Sequence, residues 1–206
     1  MKQSVFISPF VDRGFKILFG QENSKELLID LLNDLLEGER HIEDLTYMNT
    51  EMPPETSDGR TAVFDLRCKD KDGNMFIVEM QNCNQPYIYE RGLYYICRAI
   101  AGQDKIGNGW NFDIVPVYGI FFLNFKSGKT NKVRTDIILA DKETGEPVSK
   151  MIREIFIEFP LFNKTEKECE TPLDYWLYNL KHMEKLESLQ FKGQKALFQR
   201  LEELAR

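Results

Sequence analysis

The sequence predicts an α/β fold, a mixed central sheet flanked by helices, with an extra β-hairpin and a C-terminal helical segment. Two apolar strand patterns, residues 64–68 and 76–81, are joined by the charged turn Lys69-Asp70-Lys71-Asp72-Gly73-Asn74, which makes them a hairpin. A helical pattern over 87–103 and a nearly continuous apolar run over 115–125 follow. Hairpin, helix and buried strand in that order imply a crossover that leaves two strands parallel. Finally, Leu27, Leu28, Leu31, Leu32, Leu35 and Leu36 form a stripe at helical spacing, one flanking layer for the sheet.

The 206 residues, 42% hydrophobic, are enough to bury a sizeable core. We expect a main domain over 1–165 and a helical extension over 166–206, packed on that core or continuing from it. The first element is a short apolar turn over 12–20. A helix over 24–36 follows, with Asn23 or Ser24 available as its cap and Gly38 as its stop. A short strand is expected over 42–48. The turn-rich stretch Pro53-Pro54-Glu55-Thr56-Ser57-Asp58-Gly59-Arg60 then lies just before the Asp65 strand, where it could arch over a bound molecule.

Parity determines the hairpin. With a two-residue loop of Asp72 and Gly73, Asp65 would pair with Met80, and the carboxylates of Asp65 and Glu79 would point to opposite faces. With Lys71-Asp72-Gly73 as the loop and Gly73 left-handed, Asp65 faces Glu79 directly. In that second register Phe64 faces Met80, Leu66 faces Val78 and Cys68 faces Phe76, giving one wholly apolar side that can bury. The second register is therefore predicted.

Within the helix over 87–103, Arg91, Tyr95 and Arg98 share a stripe that suits phosphate and base contact. The same pattern describes an amphipathic helix whose arginine stems cover apolar surface. A second strand pair, 133–140 and 152–159, has a structural role. Thr171, with Pro172 at the first helical position and Asp174 three residues after the cap, starts a helix whose buried face is Leu173, Trp176, Leu177, Leu180 and Met183. Residues 191–206 are amphipathic and end abruptly, as would a helix that needs a partner or a chain cut short.

Composition excludes several classes. No stretch approaches the roughly 20 apolar residues of a membrane span, and the N-terminus lacks a secretory apolar region, so a cytoplasmic protein with no membrane partner is expected. Cys68, Cys83, Cys97 and Cys169 have no CxxC pairing, which reads as buried reduced thiols rather than zinc ligands. A net charge of −6 confines any nucleic-acid contact to a local patch.

Asp65 and Glu79, facing each other, would have Cβ atoms roughly 5 Å apart. Like charges that close need a proton or a cation between them, and a hard ion such as Mg²⁺ takes oxygen ligands of this kind. The alternative is a solvated charge ladder, because Arg67 and Lys69 lie on the same strand face.

The order helix, strand, Asp-bearing strand, Glu-x-Gln-bearing strand, helix, buried strand resembles the core of the PD-(D/E)XK nuclease superfamily. More narrowly, the chain is similar to the nuclease-family transposases called recombination-promoting nucleases. The similarity lies in Asp12-Arg13-Gly14-Phe15-Lys16-Ile17-Leu18-Phe19-Gly20, Leu32-Asn33-Asp34-Leu35-Leu36, Phe64-Asp65-Leu66, Ile77-Val78-Glu79-Met80-Gln81, Glu90-Arg91-Gly92-Leu93-Tyr94-Tyr95, Phe156-Ile157-Glu158-Phe159 and Trp176-Leu177.

The resemblance implies a restriction-endonuclease-like core and a Mg²⁺- or Mn²⁺-dependent DNA endonuclease of recombination, with no small-molecule cofactor. Asp65 and Glu79 would be catalytic metal ligands, with the Met80 carbonyl completing the shell. Gln81 would take the third catalytic position, where the superfamily usually has lysine. A lysine stabilises developing negative charge, whereas a glutamine only orients by hydrogen bonds. The missing cation would then come from Lys16, Lys69 or Arg91, with Tyr95 and Arg98 as further DNA contacts. A homodimer through the C-terminal helices would supply the two sites of a double-strand cut. The alternative function is a catalytically silent nuclease-fold module that binds DNA or protein. RNA ranks lower as a substrate, because no single-strand RNA module is present.

Overall fold

The computed structural model describes residues 4–53, 61–103 and 111–206. Of the expected arch over the site, residues 53–60, all but Pro53 lie outside the described residues. Two short helices come first. In α1 (Asp12–Phe19) Phe15, Leu18 and Phe19 are buried, and in α2 (Lys25–Leu35) the leucines at 27, 28, 31, 32 and 35 are. Ser24 does not cap α2 with its side chain: its Oγ donates to the Gln21 carbonyl at 3.2 Å. A 3-10 turn over Glu22–Ser24 already leads the chain into the helix, so the N-terminal path is continued rather than capped. Gly38 takes φ +78° in the turn beyond the helix end.

The strands are β1 (Leu45–Tyr47), β2 (Glu51–Met52), β3 (Ala62–Val63), β4 (Leu66–Asp70), β5 (Met75–Gln81), β6 (Val117–Leu123), β7 (Arg134–Ala140) and β8 (Pro147–Glu158). Six of them form one sheet in the order β1-β4-β5-β6-β8-β7, and β2 with β3 forms a small antiparallel pair. The β4–β5 hairpin has the predicted register: Leu66 faces Val78, Arg67 faces Ile77, Cys68 faces Phe76 and Lys69 faces Met75. Its loop is Lys71-Asp72-Gly73, closed by the Asp70 N–H on the Asn74 carbonyl, with Gly73 at φ +86°. Helix α3 (Ile88–Ala101) carries the crossover from β5 to β6, which pair in parallel, as do β6 and β8. β7 pairs antiparallel with β8 and forms the sheet edge. The mixed α/β architecture expected from the pattern is therefore present.

Two apolar layers cover the sheet. One combines α1, α2, α4 (Pro172–His182) and α5 (Leu197–Ala205) over Leu66, Cys68, Phe76, Val78, Ile120, Phe122, Ile155 and Ile157. The other is α3, packing Ile88, Tyr95, Ile96 and Ala99 on Ile77, Phe121 and Phe156. β6 lies between both layers and is buried throughout, which explains its unbroken apolar run.

Thr171 caps α4 as expected. Its Oγ1 accepts the Asp174 N–H, and Asp174 Oδ2 accepts the Thr171 N–H, both at 3.1 Å. Thr171→Ala is expected to reduce stability by about 1 kcal/mol, read as a lower urea midpoint with unchanged slope. An unchanged midpoint would remove the cap from the account.

The apolar face of α5, expected to offer a dimer surface, packs inside the chain. Phe198, Leu201 and Ala205 are buried, and the Phe198 ring meets Trp176 at 4.9 Å. The thiols also divide: Cys68 and Cys169 are buried, but Cys83 and Cys97 are exposed, which corrects the expectation that all four lie in the core. Cys83 is in the loop after β5, and Cys97 is on the outward face of α3, positions whose exposure depends on packing rather than residue type. Among the described residues no helix is long and apolar enough to cross a membrane.

Candidate active site

Glu79 lies near the C-terminal end of β5 and is 1% exposed. Asp65 stands across from it, one residue before β4 begins, where the chain bends out of strand geometry. The bend frees the backbone for side-chain contacts. The Asp65 N–H donates to Glu79 Oε1 at 3.0 Å, and Asp65 Oδ2 accepts the Met80 N–H at 2.7 Å. Each carboxylate thus receives a backbone N–H from the other acid's strand.

The same bend corrects the predicted position of Phe64. In a continuous strand Phe64 would share the face of Leu66 and oppose Met80. Instead it packs beneath α3, edge-on to Tyr95 with ring centroids 4.8 Å apart. Broken alternation at Asp65, together with an aromatic pocket under α3, moves it to the other layer. The Met80 side chain remains in the multi-helix layer, so Met80 brings only its backbone to the site.

Burial pushes the Asp65 carboxyl above the usual carboxylate range, and the Met80 N–H partly offsets this. Nearby Asp12 adds to the rise, while Lys16 and Arg91 oppose it. Glu79 is pushed up to about 7 by burial and then by the charge of Asp65, against the Asp65 N–H, Arg91 and Gln81. Glu79 and Gln81 share a face, and Gln81 Nε2 donates to Glu79 Oε2 at 2.8 Å. Gln85, in the loop before α3, donates to Gln81 Oε1 at 3.0 Å. Arg91 Nη1 donates to Gln85 Oε1 at 2.6 Å, and its Nε donates to the Tyr95 hydroxyl at 2.7 Å.

The sequence-predicted cations divide by position. Lys16 is paired with Asp12 at 2.6 Å, and that hydrogen bond raises its pKa, with smaller contributions from Asp65 and Glu79. Lys16 and Arg91 therefore both act on the acid pair. Arg98, two helical turns beyond Arg91, donates to the Pro53 carbonyl at 2.6 Å and to the Tyr94 hydroxyl at 3.1 Å. Lys69 is exposed opposite Met75 at the turn end of β4, four residues and roughly 13 Å along the strand from Asp65.

Two participants escaped the sequence reading. Asp12 stands one helical turn before Lys16, a spacing that does announce an ion pair. Gln85 sits in an irregular loop, where no pattern marks it.

The donor set fits a hard divalent cation. Asp65, half-buried, and Glu79, fully buried, are oxygen donors held together, and neither makes an ion pair among the described residues. Among those residues no group of three or more His, Cys, Asp or Glu converges.

Two further acids lie on β8. Glu158 accepts the Ser127 N–H at 2.8 Å and its hydroxyl at 2.6 Å. Glu154 is 2% exposed, and its Oε1 has no hydrogen-bond partner among the described residues. Burial pushes the Glu154 carboxyl up to about 7. It faces Gly92 of α3, where an added Cβ would lie 2.9 Å from Glu154 Oε1.

A family model described as PD-(D/E)XK nuclease family transposase matches residues 9–206. Comparison with curated proteins and with solved structures returns no match.

Proposed function

This chain belongs to the PD-(D/E)XK nuclease family transposases, and on that premise we propose that it is a metal-dependent DNA endonuclease that hydrolyses phosphodiester bonds at Asp65 and Glu79. The reading is carried by one observation: a buried carboxylate, Glu79, and a half-buried one, Asp65, interlocked through the N–H groups of Asp65 and Met80. A fold that presses two acids together at the cost of raised pKa values holds a site that a cation relieves.

A bound Mg²⁺ or Mn²⁺ would supply an acidified water and offset charge on the phosphate oxygens. Asp65 and Glu79 hold that ion, with the Met80 carbonyl as a further oxygen donor. Gln81 orients water or a phosphate oxygen by hydrogen bonds, since it brings no charge. Lys16 and Arg91 supply the positive charge that Gln81 lacks, with Tyr95 supporting the guanidinium from 5.0 Å. Arg98 and Lys69 extend the phosphate contact away from the acids.

Incubating supercoiled plasmid with the protein and Mg²⁺ or Mn²⁺ tests the reading, and nicked and linear products are the expected result. Gln81 at the lysine position favours a second reading, a catalytically silent module that binds DNA or protein. Titration calorimetry separates the two. The nuclease takes up Mn²⁺ with a heat signal lost in Asp65→Ala, whereas intact plasmid and no Mn²⁺ heat would establish the silent module.

A further inference from the structure

A hydrogen-bonded line of polar side chains runs from the buried acid to the helix that covers it. Arg91 donates to Gln85, Gln85 donates to Gln81, and Gln81 donates to Glu79, at 2.6, 3.0 and 2.8 Å. A side-chain amide alone can turn either end toward a neighbour, because its oxygen and nitrogen have nearly the same shape. A guanidinium has no such freedom, since it carries five donors and no acceptor.

The line has one consistent sense, set from both ends: Arg91 carries donors only, and an ionised Glu79 carries acceptors only. Arg91 can meet only the oxygen of Gln85, which leaves the Gln85 NH₂ for Gln81. Gln81 must answer with its oxygen and turn its own NH₂ toward Glu79. Arg91 is itself held in place, with its Nε on the Tyr95 hydroxyl and its guanidinium over the Tyr95 ring. The Tyr95 hydroxyl in turn reaches the Val63 carbonyl at 3.4 Å. The charge on Arg91 polarises both amides in the same direction, which strengthens each bond in the series.

We infer that Arg91, acting through Gln85, is a positioning residue that holds the NH₂ of Gln81 toward the acid pair, reinforcing the pull of Glu79 itself. The residue at the lysine position thereby presents donors rather than an acceptor. In the opposite orientation the Gln81 oxygen would face a Glu79 oxygen, and the site would have no donor at that position. The consequence for cleavage rests on the nuclease reading above; the orientation itself is a property of the folded chain.

Gln85→Glu keeps the length of the side chain and its bond to Arg91, but it accepts at both ends. Residue 85 then competes with Glu79 for the Gln81 NH₂ and draws it away from the acid pair. Gln85→Met releases Gln81 without adding charge. Both variants are expected to cleave plasmid roughly 10- to 100-fold more slowly, in kcat rather than KM, with unfolding midpoints close to wild type.

Orientation is read without metal or activity, from nuclear Overhauser contacts of the Gln81 side-chain NH₂ in isotope-labelled full-length protein. Wild type is expected to show contacts to the Glu79 Hγ protons, and Gln85→Glu to show them to the Hγ protons of residue 85. Contacts that stay on Glu79 in Gln85→Glu, or that lie on Gln85 in wild type, would overturn the inference. So would unchanged kcat in both variants of a wild-type protein that cleaves. A wild-type protein that fails to cleave with either metal would sink the nuclease reading, while the Overhauser contacts still decide the orientation.

Discussion

Asp65→Asn and Glu79→Gln, and the alanine counterparts of both, are expected to lower DNA cleavage by roughly a thousandfold or more. The two carboxylates are the charged oxygen donors at the site, and losing one removes several kcal/mol of charge stabilisation; about 1.4 kcal/mol corresponds to each factor of ten in rate. The isosteric pair separates chemistry from folding. Asp65→Asn retains an oxygen for the Met80 N–H, and Glu79→Gln retains one for the Asp65 N–H, the two bonds that hold the strands together here. Circular dichroism should therefore stay close to wild type, as should unfolding midpoints at pH 4.5, where Glu79 is protonated in the folded wild type. Gel analysis of supercoiled, nicked and linear plasmid over time gives the rate. Cleavage at the wild-type rate by any one of these variants would move the reaction away from the acid pair.

The metal-free protein is expected to lose stability as pH rises from about 4.5 to about 7. Glu79 and Glu154 have an ordinary carboxyl pKa of 4.5 and are each pushed up to about 7 in the folded state, first by burial. Between those values the folded protein binds more protons than the unfolded chain, so stability falls with increasing pH and levels off above the folded value. A shift of that size corresponds to something on the order of 3 kcal/mol for each group. The two contributions separate by variant and by metal. Glu154→Gln removes a carboxylate whose Oε1 is unpartnered beneath Gly92. That substitution should raise the unfolding midpoint at pH 8 by roughly 6–12 °C and leave it little changed at pH 4.5. Adding Mn²⁺ at pH 8 should restore the Glu79 share and leave the Glu154 share in place. A Glu154→Gln midpoint equal to wild type at pH 8, measured by thermal unfolding without metal, would contradict the Glu154 assignment.

The hairpin shows how far local pattern reaches. Its register follows from parity alone, because a one-residue slip would send Leu66, Cys68, Phe76 and Val78 to the wrong face, and Gly73 identifies the loop that avoids the slip. The same logic brought Asp65 opposite Glu79 and placed Gln81 on the face of Glu79. Parity failed one residue earlier. It assumes an unbroken pleat, and Phe64 lies beyond the bend at Asp65, where a pocket built by Tyr95 of α3, some 30 residues away, decides its direction.

Other parts of the site were invisible for a related reason. Gln85 belongs to a loop with no periodicity, and its role exists only because Arg91 and Gln81 converge on it from a helix and a strand. Glu154 reads as an ordinary alternating strand residue until α3 closes over it at Gly92.

Elements, their order, the hairpin register and the pairing of Asp65 with Glu79 were legible in the chain itself, because side-chain periodicity and the demands of a φ > 0 turn act over a few residues. Tertiary packing alone determined the bend that interlocks the two acids, the raised pKa of Glu79, the approach of Lys16 and Arg91, and the sense of the amide line. Those properties depend on desolvation and on contacts between distant segments, and both arise only when the helices close over the sheet.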